Sequence, residues 1–399
     1  MRRFTKLAPA VLAIGVLMGG CAATGATSVS DTSIESTTTS ETTGSDTSTD
    51  TTVASDLSTS SGDVDWDSLP TTEVTLTDEG LAITEAGTYV LTGSTTGKIT
   101  VNSDGNVRIV LNGATIESAD GAAIQVDNAE LTVIELADGT TNTVSDASTR
   151  SDEEIDGTIY SSDDLLITGS GTLNVTANFA DGIVGKDDLT IESGTINVTS
   201  VDDGIRGKDS LAIGDATITV DAAGDGIKAT NDTDLGKGQL SITGGTITVT
   251  SGDDAIKAEQ QLTISGGTIT IEQSVEGIEA PVIVIDGGDI TLNASDDGIN
   301  ASASAIVPDG LSVTINDGSL SITMGSGDTD AIDSNGDLTI NGGTVDITAQ
   351  FAFDFDGTGT MTGGTVTVNG EQVTEITESM QMGGGQMGGG QAGGGPGGQ

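Results

Sequence analysis

The chain has 399 residues, with 61 Asp and Glu against 12 Lys and Arg, and carries a formal net charge of −49. A surface of that sign repels phosphate backbones and anionic lipid, which excludes nucleic acid as a partner and favours cations. There is no histidine, Cys21 is the only cysteine and aromatic residues make up 2%, so imidazole catalysis, thiolate metal sites and disulfides are excluded and little is left for aromatic stacking platforms. Carboxylates, hydroxyls, amides and a few Lys and Arg remain, a set suited to binding hard cations.

Residues 1–20 read as an export signal, with Arg2, Arg3 and Lys6 ahead of an apolar run from Leu7 to Met18. That run is too short to span a bilayer as a helix. Leu17-Met18-Gly19-Gly20-Cys21 resembles a bacterial lipobox, which makes Cys21 the expected lipidated N-terminus of the mature protein. Residues 21–70 are Ser, Thr, Asp and Gly with almost nothing apolar, and cannot bury enough surface to offset chain entropy. A disordered tether is expected there, and a second flexible segment over the Gly-, Met- and Gln-rich residues 376–399.

Between these tails, residues 71–375 carry an internal repeat. The units FADGIVGKDDLTIESGTINVTS, VDDGIRGKDSLAIGDATITVDA, GDDAIKAEQQLTISGGTITIEQ and SVEGIEAPVIVIDGGDITLNA share one pattern: an acidic turn, an Ile, and two apolar-x-apolar stretches separated by a Gly-rich turn. Aligned on that turn, the anchor acids are Asp181, Asp203, Asp225, Asp254, Glu276, Asp297, Asp330 and Asp354, with insertions around Thr230–Gly238 and Ala301–Gly310. The alternation has a period of two, and no helical period is present. A unit of about 22 residues with three short strands cannot bury its own inner face; stacked as successive coils it buries Leu189, Ile191, Ile196, Val198 and their equivalents in one column. The expected fold is all-β, a single-stranded parallel β-helix, with right-handed winding. Val74 to Val144 is less regular and reads as the first coils and an N-terminal cap.

Stacked coils place equivalent residues about 4.8 Å apart. The anchor acids therefore form a ladder, and Asp202, Asp253 and Asp296 directly precede anchors and double the charge. Adjacent unit charges at that spacing repel by about 0.9 kcal/mol in water and about 3.5 kcal/mol at an effective dielectric of 20. Counter-charge is required. Arg206, Lys228 and Lys257 each lie three residues after an anchor and stack as a short basic row, with Lys186 and Lys208 five after. The second expected source is Ca²⁺, which takes 6–8 oxygens in irregular geometry, whereas Mg²⁺ demands a stricter octahedron. The basic row either pairs with the ladder or contacts the carboxylates of an acidic ligand such as a polyuronate.

At these residues the chain resembles a known family: bacterial, often lipid-anchored, carbohydrate-binding β-helix proteins that bind acidic polysaccharides such as polygalacturonate. The resemblance spans roughly Glu73–Gly370 and rests on AGTYVLTGS, VRIVLNGATI, DGAAI, DGIVGKDDLTI, VDDGIRGKDS, GDGIKA, SVEGIEA and SDDGINA together with the Gly- and Met-rich tail. Members look like calcium-binding relatives of calcium-dependent pectate lyases, generally without lyase activity. The resemblance implies Asp202, Asp203, Asp225, Asp253, Asp254, Glu276, Asp296 and Asp297 as the calcium region. Glu276 lacks a preceding acid and Asp225 follows Gly224, so those two rungs are where metal could be missing. Arg206, Lys208, Lys228 and Lys257 are the expected ligand-binding cations. A monomer is expected, exported and held at the cell surface, and binding acidic polysaccharide without turnover. The alternatives are a calcium-dependent lyase using one of those four bases, and a structural or adhesive surface protein.

If Cys21 carries the anchor, Cys21→Ser moves the protein from the membrane fraction to the soluble fraction while its circular dichroism spectrum is unchanged. A variant that still sediments with membranes defeats the assignment.

Overall fold

The computed structural model describes residues 64–326 and 329–378. The export signal, Cys21, most of the tether and nearly all of the C-terminal tail lie outside the described residues.

Each coil contributes one short strand to a first face and two to a second and third face. The first face is a parallel sheet of 12 strands among the described residues, running from Leu81–Ile83 to Phe351–Phe355. The other two faces join around a bend into a 22-stranded sheet, also parallel except for its last hairpin. In one representative coil, Ile205–Gly207 lies on the first face, and Ser210–Ala222 runs through the second face, the bend and the third face.

The period-2 pattern is what closes this structure. On the first face, Leu81, Ile99, Ile124, Ile159, Ile183, Ile205, Ile227, Ile256, Ile278, Ile299, Ile332 and Phe353 pair in register as one continuous stack. All but Leu81 are buried. Leu189, Ile191, Ile196 and Val198 belong to equivalent stacks of the other two faces and are likewise buried. β-Branched side chains suit this arrangement, since their restricted χ1 packs well on a pleated surface.

The Gly-rich turn makes the bend between the second and third faces. At Gly267, φ is +92° and an added Cβ would lie 2.6 Å from the carbonyl oxygen of Gly244 in the coil below. The backbone of one coil thus sits against the backbone of the next, which only glycine allows at that φ.

Residues 71–144 form the first coils, with register shifts between Leu91 and Gly93 and between Val101 and Asn102. Thr71–Leu76 is the edge strand, pairing in parallel with Gly87–Thr95, and Trp66 sits on the outside of the second face against Leu131, Val133 and Leu166. The other end is closed by an antiparallel hairpin: Val368 pairs with Glu371 across Asn369 (φ 52) and Gly370 (φ 83). Two positive φ values in a two-residue loop are the mark of a hairpin turn that matches strand twist. It turns the chain away from the stack and blunts the final edge with an acid.

The anchor alignment needs one correction. Asp330 pairs with Phe351, and Asp354 pairs with Asp333. Asp354 therefore belongs to the row three residues beyond the anchors, and Phe351 occupies the anchor position of that coil. The local sequence FAFDFDG contains an acid in each register, and pairing to the neighbouring coil selects the one that buries Phe353.

Ile227 is fully buried in the first-face stack, whereas Leu235 is 81% exposed. Ile227→Ala is expected to cost about 2–5 kcal/mol, and Leu235→Ala to stay within about 0.5 kcal/mol, read from denaturant midpoints. Equal effects would contradict the assigned register.

Candidate functional site

The anchor ladder is built by the backbone as much as by charge. Asp181 Oδ1 accepts from the amide of Asp203 (3.1 Å), Asp203 Oδ1 from that of Asp225 (2.9 Å), and Asp225 Oδ1 from that of Asp254 (3.0 Å). Asp297 Oδ1 does the same for the amide of Asp330 (3.0 Å). These four carboxylates each cap the next rung, and Asp181, Asp203 and Asp225 are buried in doing so, as is Asp254 beside them. Asp202, Asp253 and Asp296, one residue earlier, face solvent.

The second oxygen of Asp181, Asp203, Asp225 and Asp254 faces the basic row. Arg206, Lys228 and Lys257 follow one another on consecutive first-face strands. Arg206 pairs with Asp181 (2.7 Å) and with Asp156. Lys228 bridges Asp203 (2.5 Å) and Asp225 (2.9 Å), and Lys257 bridges Asp254 (2.8 Å) and Glu279. Of the two arrangements open to these three cations, the structure has the internal one: each is enclosed between carboxylates of adjacent rungs. Lys208 is exposed, and Lys186 lies 3.7 Å from Asp156.

The row changes sign after Lys257. Its next members are Glu279, Asn300, Asp333 and Asp354, and no Lys or Arg occurs anywhere in residues 258–399. The carboxyls respond accordingly. Burial pushes Glu276 up to about 8, helped by the charges of Glu279 and Asp254. Asp333 is raised to about 7 by burial and by Asp297 and Asp354. Asp254 is raised to about 7 by burial and by its hydrogen bond with Glu279. Glu279 is held low: burial would raise it, but hydrogen bonds from Asp254, Lys257 and Ser302 outweigh that. Asp181 also rises to about 7, since burial and the charges of Asp203 and Asp156 exceed the pull of Arg206.

Several acids converge closely enough to share a cation. Asp181, Asp202 and Asp203 each offer an oxygen within 4.8 Å of the others, as do Asp225, Asp253 and Asp254, and Asp254, Glu276 and Glu279. Asp225 and Glu276, the two rungs with a single acid, thus find partners in neighbouring coils. Asp296 and Asp297 join no such group among the described residues. A further group, Asp164, Asp187 and Asp188, escaped the sequence reading; its signal is the acidic turn in GKDD that stacks beneath GKDS.

The donor set suits a hard cation. The group at Glu276 fits best, because Asn300, 8% exposed, donates from Nδ2 to Glu276 Oε2 (3.1 Å) while its Oδ1 has no hydrogen-bond partner. An orphaned buried carbonyl beside two carboxyls that resist ionisation is an environment short of positive charge.

These features define a parallel β-helix with a carboxylate-rich face. The chain belongs to the carbohydrate-binding domain-containing protein family, whose model matches residues 77–329. A carbohydrate-binding domain-containing protein of Acetivibrio thermocellus is 33% identical over 133 residues, spanning 31% of this chain and 46% of the relative. The match thus covers a little under half of that relative's length. A solved structure of a polysaccharide lyase-like protein from C. thermocellum, as a gadolinium derivative, aligns with a TM-score of 0.48 at 33% identity, over 54% of this chain and 85% of its own.

Two outcomes follow from the ladder. A carboxyl whose pKa rises on folding contributes stability that is full below its unfolded value and is lost as pH rises through the folded value. Asp181, Asp254, Asp333 and Glu276 thus predict that, in chelator, the melting temperature falls as pH goes from about 5 to about 8.5. A flat profile rules this out. Separately, Lys228→Gln leaves Asp203 and Asp225 facing each other without a cation, and is expected to cost about 3 kcal/mol at neutral pH.

Proposed function

We propose that this protein is an exported, surface-anchored receptor for acidic polysaccharides such as polygalacturonate, which it holds through Ca²⁺ without cleaving them. The observation that carries the proposal is the pairing of exposed Asp202 and Asp253 with buried anchors in groups whose oxygens lie within 4.8 Å of one another. Membership of a carbohydrate-binding family supplies the ligand class, and the chemistry of the face narrows it. Bound Ca²⁺ would supply the positive charge that lets uronate carboxylates approach this acidic strip. Asp202, Asp203 and Asp181, Asp225, Asp253 and Asp254, and Glu276 with Asn300 are the residues that would hold it.

The basic row has a supporting part in this proposal. Arg206, Lys228 and Lys257 are committed to carboxylates of the ladder, so their contribution is to keep the face folded and partly neutralised, while exposed Lys208 is free of that duty. The same pairing argues against catalysis. Proton abstraction from a sugar carbon needs a base that can lose its own proton. Lys228 stays above its ordinary value: burial would lower it, but Asp203 and Asp225 outweigh burial. Arg206 is held up in the same way by Asp181 and Asp156. Lys186 moves the other way, through burial and the charge of Arg206, and it is the base to replace in any lyase control.

The test is affinity electrophoresis on polygalacturonate with Ca²⁺ or chelator, alongside absorbance of a 4,5-unsaturated product. Retention is expected with Ca²⁺ only, reduced severalfold in Asp202→Asn and Asp253→Asn, with no absorbance change. Retention in chelator equal to that in Ca²⁺ overturns the calcium reading. Steady product formation, lost in Lys186→Gln or Lys208→Gln, overturns the non-catalytic reading.

A further inference from the structure

The turn between the first and second faces is short in most coils, as at Lys208–Asp209, Glu259–Gln260 and Ala280–Pro281, but expands over residues 230–238 and 302–311. The strands preceding these turns carry Lys228, Lys257, Glu279 and Asn300 in consecutive register. The two excursions therefore stand three rungs apart, about 14 Å at 4.8 Å per rung, with two short turns between them as a floor.

Both walls are held in place by side chains. In the first, Asn231 Oδ1 accepts from the amides of Thr233 (3.1 Å) and Asp234 (2.8 Å), while its Nδ2 donates to Asp209 (2.7 Å). Gln260, on the floor, accepts from the amide of Gly236 (2.9 Å) and donates to the carbonyl of Asp234 (2.6 Å). In the second wall, Ser304 Oγ accepts from the amide of Val307 (3.2 Å), and Ser302 donates to Glu279 Oε1 (2.5 Å). Against this wall opens a cavity of about 140 Å³ lined by Lys257, Glu259, Glu279, Pro281, Ser302 and Ser304 among others.

The chemistry is that of a polyol site. Glu259 and Glu279 accept from hydroxyls, and the serines can donate or accept. The volume is below the roughly 300 Å³ of sites for drug-sized ligands, which suits one ring rather than several. Lys257 is already paired with Asp254 and Glu279, and two carboxylates would repel a third, so a uronate is disfavoured. We propose that this notch is a subsite for one neutral hexosyl unit of a glycan strand that crosses the helix axis between the two walls, bound without a cation. The notch shares Lys257 and Glu279 with the row beside the ladder, but contains none of the acids that the preceding section gives to Ca²⁺.

The test uses the full chain in chelator, with saturation-transfer NMR on neutral tetrasaccharides of glucose, galactose and mannose. Saturation transfer to at least one of the three is expected, concentrated on the protons of one sugar unit. Ala303 is exposed and lines the cavity, so Ala303→Trp fills the notch from its exposed rim and is expected to abolish the transfer. Glu259→Gln, which preserves shape, is expected to weaken binding about tenfold. Neither should alter Ca²⁺-dependent retention of polygalacturonate. No transfer from any of the three sugars, or transfer unchanged in both variants, overturns the proposal. Loss of polygalacturonate retention in Ala303→Trp, with an unchanged melt, would also overturn it by assigning the notch to the acidic ligand.

Discussion

Parallel in-register stacking places equivalent side chains about 4.8 Å apart, and here one of the stacked positions is a carboxylate in nearly every coil from Asp181 to Asp330. The rest of the site follows from that constraint. The backbone needs the carboxylate at Asp181, Asp203, Asp225 and Asp297, where an anchor oxygen satisfies an amide of the next rung. The charge that comes with it must be neutralised by something within the same few ångströms.

The protein meets this requirement in two ways along its length. From Asp181 to Asp254 the neighbouring row supplies Arg206, Lys228 and Lys257, and each cation lies between two rungs. Beyond Lys257 that row turns acidic or neutral, and the carboxyls retain protons to near pH 7 or 8. A divalent cation would therefore have to displace protons at the C-terminal rungs, whereas the middle rungs are partly self-neutralised. A carbohydrate-binding protein with such a face can couple ligand affinity, pH and metal through one set of side chains.

The insertions add a second consideration. Enlarging a turn costs a β-helix little, since loop-closure entropy grows slowly with length, so excursions can be placed at chosen rungs without disturbing the stack. Here both occur at the same corner with two short turns between them, and the floor side chain Gln260 holds the first wall in position.

The coil, its strands and the acidic ladder were legible in the sequence because each depends on local alternation and a fixed repeat. Ile205, Ile227 and Ile256 could be placed in one stack from spacing alone. Tertiary register decided what spacing left open. Asp354 sits in an acid-rich turn that fits two alignments, and only pairing with Asp333 distinguishes them. Whether Lys228 meets a ligand or its own ladder depends on side-chain reach across rungs, which a repeat does not encode. The Asn300 carbonyl and the notch arise where three coils meet, so their residues are distant in sequence and follow no common motif. The repeat determines what each coil offers; the stacking of one coil on the next determines which of those groups are spent within the fold and which remain for a ligand.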